Sequence, residues 1–144
     1  MSDAYRHASR LYLDSNALIY FVERADASQA KIGDAIAWAV RAGAPIVISE
    51  VGVAECLYGA YKLQSAALEA RYVEIFDEIA LFEIAPVDGE RLRAAAKLGA
   101  QKGLKLVDAL HFLAALENQC DVFITNDARF RSSHGVEVVQ VERL

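Results

Sequence analysis

The chain has 144 residues, 55% of them hydrophobic and 24% charged, with only two prolines. That length and composition exclude a disordered chain and give one domain whose core needs no disulfide or structural metal. A formal charge of -5 argues against holding nucleic acid by bulk electrostatics, although carboxylates gathered to bind cations produce the same sign.

Residues 1–10, MSDAYRHASR, read as a polar lead-in without the apolar centre of a signal peptide, and His7 there has no partner at a useful spacing and is expected to be solvated. Arg41, Gly43 and Pro45 interrupt the apolar run over residues 36–48, so no membrane span is expected and the protein reads as cytoplasmic. Cys56 and Cys120 each lack a second cysteine or a ligand-spaced histidine nearby, which points to buried free thiols.

Residues 11–23, LYLDSNALIYFVE, open with an apolar triplet too short for a helix and long enough for a buried strand. The chain then turns polar at Asp14-Ser15-Asn16. Ser15 or Asn16 is suited to cap a helix whose buried side is Ala17, Leu18, Tyr20, Phe21 and Val22. In an open α/β sheet the chemistry gathers outside the carboxyl ends of the strands, and this corner puts Asp14 there.

Ser28 is expected to cap a helix ending at Gly43, with Ile32, Ala35, Ile36, Ala39 and Val40 inward and Trp38 as packing. Pro45 leads into a second short strand, Ile46-Val47-Ile48, and another polar corner at Ser49-Glu50. A third helix over residues 50–62 carries Val51, Val53, Ala54, Cys56, Leu57 and Tyr58, with Glu55 in their midst. Glu50 in its first turn is an ordinary complement to the helix dipole. Glu55 is enclosed by small and apolar neighbours, so an exposed face and a site position are both open for it.

Residues 65–79 read as a surface helix with Leu68, Tyr72, Ile75, Phe76 and Ile79 along one side, and residues 81–84 as a strand closed by Pro86. Asp88 caps the next helix, over residues 89–102, and Gly103 ends it. Arg91, Arg93, Lys97, Lys102 and Lys105 concentrate positive charge there. A solvated face is the ordinary reading of such a run, and contact with phosphates is the other.

Residues 106–116, LVDALHFLAAL, form the most apolar helix, in which Asp108 is the sole acid. Asp108 is alternatively the N-cap of a helix beginning at Ala109. His111 shares its side of the helix, and a lone histidine on an apolar helix is ordinarily a satisfied core group. Residues 121–124 form a strand that ends at Thr125-Asn126-Asp127, a repeat of the corner at Asp14. A last strand over residues 136–139 belongs at the sheet's edge, after a turn holding His134 and Gly135.

Helices alternating with short apolar runs imply a single-domain α/β fold, a three-layer sandwich with a mostly parallel central sheet covered on both faces. Asp14 and Asp127 then share one edge, and Glu55 and Asp108, near the starts of their helices, can face the same crevice. Two like charges about 4 Å apart at an effective dielectric of about 20 repel by roughly 4 kcal/mol, so such a gathering calls for a counter-ion. Oxygen donors suit magnesium or manganese, and no His/Cys set for zinc is present. Metals held by carboxylates orient a phosphodiester and generate hydroxide from water, with Ser15, Asn16 and Thr125 as polar groups that orient the carboxylates.

LDSNALIYF, ISEVGVAECLYG, LVDALHFLAA and ITNDARF together resemble the four motifs of the PIN domain, and within it the VapC-like toxin ribonucleases of type II toxin-antitoxin pairs. The resemblance spans nearly the whole chain. It implies a helix-flanked parallel sheet, Asp14, Glu55, Asp108 and Asp127 as catalytic and metal-binding acids, Mg2+ or Mn2+ as cofactor, and cleavage of RNA. It also implies a homodimer and a cognate antitoxin protein that blocks the site, with Thr125 and Asn16 as accessory polar groups. A non-catalytic PIN-like module that binds RNA or a protein is the alternative. A phosphatase using Asp14 as nucleophile is disfavoured, because no second aspartate follows two residues on.

Overall fold

Leu11, Tyr12 and Leu13 are all buried, because the strand they form, β1 (Leu11–Leu13), is covered on both faces. The computed structural model describes residues 4–144, so the first three residues of the polar lead-in lie outside the described residues. Among the described residues ten further helices and strands follow. They are α1 (Ser15–Glu23), α2 (Ala27–Ala42), β2 (Ile46–Ser49), α3 (Glu50–Lys62), α4 (Ala66–Val73), β3 (Glu83–Ala85), α5 (Gly89–Lys102), α6 (Leu106–Glu117), β4 (Val122–Thr125) and β5 (Glu137–Gln140), the last being the tenth after β1.

The five strands form one sheet in the order β3-β2-β1-β4-β5, and every pairing in it is parallel. Parallel neighbours need crossovers, and the helices supply them. Side chains alternate across the sheet. Leu11, Leu13, Ile46, Ile48, Val122 and Ile124 face a core shared with α1 to α4, while Tyr12, Val47, Ala85 and Phe123 face a second core built on α5 and α6. The result is the helix-sheet-helix sandwich expected. Full burial of each aliphatic side chain in it contributes roughly 1.5–3 kcal/mol.

Several local expectations are corrected. Asp14, not Ser15 or Asn16, caps α1, and its carboxylate accepts from the Ser15 N–H. Asp26, not Ser28, caps α2 by accepting from the Gln29 N–H at 3.1 Å, the N3 amide that a capping carboxylate reaches. Asp108 is not an N-cap either: α6 begins three residues earlier, after Lys105. Val40 and Ile79 point outward, at 59% and 58% exposure. For Ile79 the cause is a π-turn, Glu74–Glu78, that prolongs α4. Its i→i+5 bond from Ile79 N to Glu74 O rotates the following residue off the apolar side. Tyr58 is exposed as well.

The lead-in is less polar in its role than in its composition. Tyr5 is buried against the edge of Trp38, and the amides of Ser9 and Arg10 donate to the Asp121 carboxylate. His7 is exposed and has a partner in Glu137, 3.3 Å away. Cys56 and Cys120 are buried free thiols. Among the described residues no helix is long and apolar enough to cross a membrane.

Candidate acidic site at the carboxyl edge of the sheet

The register that puts Leu13 beside Ile124 carries both chains over the sheet's edge together. Asp14 N donates to the Ile124 carbonyl at 3.0 Å, and one residue further the Thr125 hydroxyl donates to Asp14 Oδ2 at 2.8 Å. Asn16 Nδ2 reaches the same oxygen at 3.1 Å, and Ser15 N supports Oδ1 at 2.9 Å. Asn16 also accepts from Asn126 N at 2.9 Å, stitching the two corners together. Thr125 works in both directions, because its oxygen also accepts from the Asp127 N–H at 2.9 Å.

Glu55 and Asp108 arrive from the same side of the molecule. α3 begins where β2 ends, and Glu55 stands half-exposed five residues along it. Asp108 lies in the first turn of α6. The four acids are therefore assembled on one edge, but as two pairs, each joined by a basic side chain of the protein itself. His111 Nε2 lies 2.7 Å from Glu55 Oε1 and 3.5 Å from Asp14 Oδ1. Arg129 lies 2.5 Å from Asp127 Oδ2 and 3.4 Å from Asp108 Oδ2. Among the described residues no three His, Cys, Asp or Glu side chains stand close enough to enclose a metal ion together.

Electrostatics divide these groups. Burial pushes the Asp14 carboxyl up, against the opposing pull of His111 and of the Thr125 and Ser15 hydrogen bonds. Burial would also raise Glu55, but the hydrogen bond and charge of His111 bring it below the usual carboxylate range. For His111 burial acts downward and is outweighed by the Glu55 hydrogen bond and the charges of Asp14, Glu55 and Asp108, so its pKa is raised. The Arg129 hydrogen bonds hold Asp127 low. Asp108 acts on His111 and Asp14 on Arg129, so the two pairs share one field.

His111, Tyr12 and Arg129 were not singled out as site residues by the sequence. His111 is not a passive core group: its second nitrogen, Nδ1, pairs with the buried Tyr12 hydroxyl at 2.6 Å, which fixes the ring from behind. The available signal was its spacing three residues after Asp108, on one helical face. For Arg129 it was the position two residues after Asp127, from which its own amide reaches back to Asp127 Oδ1 at 2.9 Å.

In donor type, though not in its present spacing, the set suits a hard divalent cation. It consists of carboxylate oxygens, three of the four carboxyl groups are largely removed from water, and the Arg129 guanidinium stands between Asp108 and Asp127 as a positive stand-in. On one flank an open apolar groove of about 440 Å³ runs past Glu55, walled by Ile19, Val51, Ala54, Tyr58 and Val107.

A family model described as "PIN domain" matches residues 11–133. No curated protein matches the chain. Among solved structures, VapBC2 from Rickettsia felis, bound to a DNA fragment from its promoter, is similar with a TM-score of 0.70 and 20% identity, over 90% of this chain and 97% of that one. A toxin-antitoxin complex from Klebsiella pneumoniae gives 0.67 and 23%, over 94% and 99%. FitAcB from Neisseria gonorrhoeae gives 0.67 and 16%, over 93% and 99%. At these identities the likeness is one of fold.

Proposed function

Because the chain belongs to the PIN domain family, we propose that it is a metal-dependent endoribonuclease and the toxin of a type II toxin-antitoxin pair. The observation that carries the reading is the assembly of Asp14, Glu55, Asp108 and Asp127 on one sheet edge, with Asp14 buried and held by three donors. Asp14, Asp108 and Asp127 would hold Mg2+ or Mn2+, with Glu55 beside them, once Arg129 turns away. When bound, such an ion supplies Lewis-acid activation of water and charge stabilisation at the scissile phosphate.

The protein's own residues prepare that chemistry. Thr125 and Asn16 fix the rotamer of Asp14, so that its carboxylate does not reorganise during reaction. His111 holds Glu55 and is itself held by Tyr12, so the Glu55 carboxylate faces the crevice in a fixed pose. Glu55, at the half-exposed margin, is suited to accept a hydrogen bond from water and so orient it.

One similar structure is a toxin-antitoxin complex and another is a member of the VapBC family of toxin-antitoxin systems, which supports a small antitoxin as partner. The apolar groove beside Glu55, with Tyr58 and Val107 exposed along it, is the surface such a partner would cover. A homodimer of the chain and a cytoplasmic location belong to the same proposal. The whole of residues 1–144 is read as the single nuclease domain.

The test is cleavage of a mixed panel of structured RNAs by purified protein with manganese, with magnesium and with chelator, beside Asp108→Asn. Cutting that needs metal and disappears in the variant is expected. No cutting under any metal by a folded, inhibitor-free protein would overturn the reading. It would favour a non-catalytic module that binds RNA or protein, for which the internal neutralisation of the acids by His111 and Arg129 is the supporting observation.

A further inference from the structure

Two clefts of similar size are lined by cations. One, of about 420 Å³, lies between α2 and the chain ends; it holds Arg6, Lys31 and Arg41 together with Asp34, and shares no residue with the acidic site. The other, of about 380 Å³, is lined by Lys102, Lys105, Arg129 and Arg131, with Asp108 its sole acid. Asp108 and Arg129 belong to both this second cleft and the acidic site, so the two are continuous.

The second cleft also decides which part of the basic run matters. Arg91, at the start of α5, is taken up by Asp88 at 2.7 Å and Glu117 at 3.2 Å. Lys102 and Lys105, at the end of α5 and the entry to α6, meet Arg129 and Arg131 from the segment after β4. Lys102 is no loose surface lysine. Its ammonium donates to the Ser133 hydroxyl and lies 4.4 Å from the centre of the Phe112 ring, and partial burial lowers its pKa. No side chain caps the first turn of α6, which opens at Lys105 beside the cleft.

An acidic centre repels a polyanion, and a chain with net charge -5 does not attract one in bulk. A strand brought to Asp14 and Asp108 therefore needs local positive charge next to the acids, and this cleft is where the chain supplies it. We infer that the cleft binds the RNA phosphodiester next to the scissile one, with Lys105 and Arg131 as its direct contacts and Lys102 as the fixed wall behind them. The inference rests on the nuclease reading for its ligand and adds the side from which the strand enters. Small anions and nucleic acid share the phosphate chemistry, and the strand is favoured because the cleft runs into the acidic site.

The experiment is binding of a fluorescein-labelled uridine oligoribonucleotide, followed by anisotropy over a salt series in chelator, so that neither metal nor turnover enters. Each lost phosphate contact should lower the steepness of log K against log salt by about 0.7 on a single strand. Lys105→Gln with Arg131→Gln is expected to lower it by about 1.4 and to weaken binding about tenfold or more at low salt, while Arg41→Gln in the other cleft matches wild type. Both residues are exposed, so the melting temperature should hold. An unchanged slope in the double variant overturns the inference, as does loss of inorganic phosphate binding with no change for the oligonucleotide. If wild type cuts no RNA with any metal and the slopes still differ, the cleft stands and the nuclease reading falls. If wild type cuts and the double variant binds as wild type does, the cleft falls and the nuclease reading stands.

Discussion

His111 Nε2 donates to Glu55 Oε1 across 2.7 Å, joining a fully buried imidazole on α6 to a half-exposed carboxylate on α3. Because Glu55 raises the His111 pKa, Glu55→Gln should make His111 titrate at lower pH than in wild type, as followed by NMR of its ring protons. With only three histidines the assignment is direct. An unmoved titration would mean that the pair does not form.

Behind the same ring, Tyr12→Phe removes the hydroxyl on which Nδ1 rests and leaves a buried nitrogen without a partner. The expected loss is about 1–3 kcal/mol in urea unfolding. A variant as stable as wild type would show that the ring is held by Glu55 and Asp14 alone.

Asp14 gives a pH-dependent prediction with a definite sign. Its pKa is raised by burial, so the native state keeps this proton to higher pH than the unfolded chain does. The associated stability is fully present below about pH 4 and is lost as pH rises through the folded pKa. Asp14→Asn, which cannot ionise, should therefore melt higher than wild type at neutral pH in chelator and show a flatter profile above about pH 4. Melting curves across pH decide it; a variant less stable than wild type at pH 7 would show that the Ser15, Asn16, Thr125 and His111 contacts outweigh the burial of the charge.

Arg129 competes for the oxygens that a metal would use. Its side chain is 56% exposed, so its hold on Asp108 and Asp127 is weak. Arg129→Gln should tighten Mn2+ binding, measured by electron paramagnetic resonance of the free ion, by up to about fivefold. Weaker binding in the variant would make Arg129 a supporter of the ion and not its rival.

Gly99→Ala tests the contact between α5 and α6. A Cβ there would stand 2.9 Å from the Leu104 carbonyl oxygen and 3.1 Å from Ala109 Cβ, the first of these a backbone atom with little room to yield. A destabilisation of about 1–3 kcal/mol is expected in denaturant unfolding.

Helix ends were legible at two helices, where Ser49 and Glu50 open α3 and Asp88 and Gly103 bracket α5 as their residue types predict, whereas the Asp14 and Asp26 caps were not recognised. The parallel, doubly covered sheet followed from short apolar runs between helices, as the burial of all of Leu11-Tyr12-Leu13 requires, whereas the strand order did not. The exposure of Ile79 was not legible, because a π-turn shifts the helical period without a mark in composition. Nor was the duty of His111. Its partners Glu55 and Tyr12 are 56 and 99 residues away in sequence, and a periodic pattern reports which face of a helix is buried, not which polar atoms meet inside.

The position of β1 between β2 and β4 has a kinetic consequence. Thr125 closes on Asp14 from 111 residues away, so this contact carries one of the larger loop-closure costs in the chain. Until β4 docks, the Asp14 carboxylate lacks both Thr125 and the corner that Asn126 anchors to Asn16, and it remains an ordinary solvated acid. The acidic edge is therefore complete only when β4 is in place. A chain halted before β4 would have helices and half a sheet, yet no organised crevice.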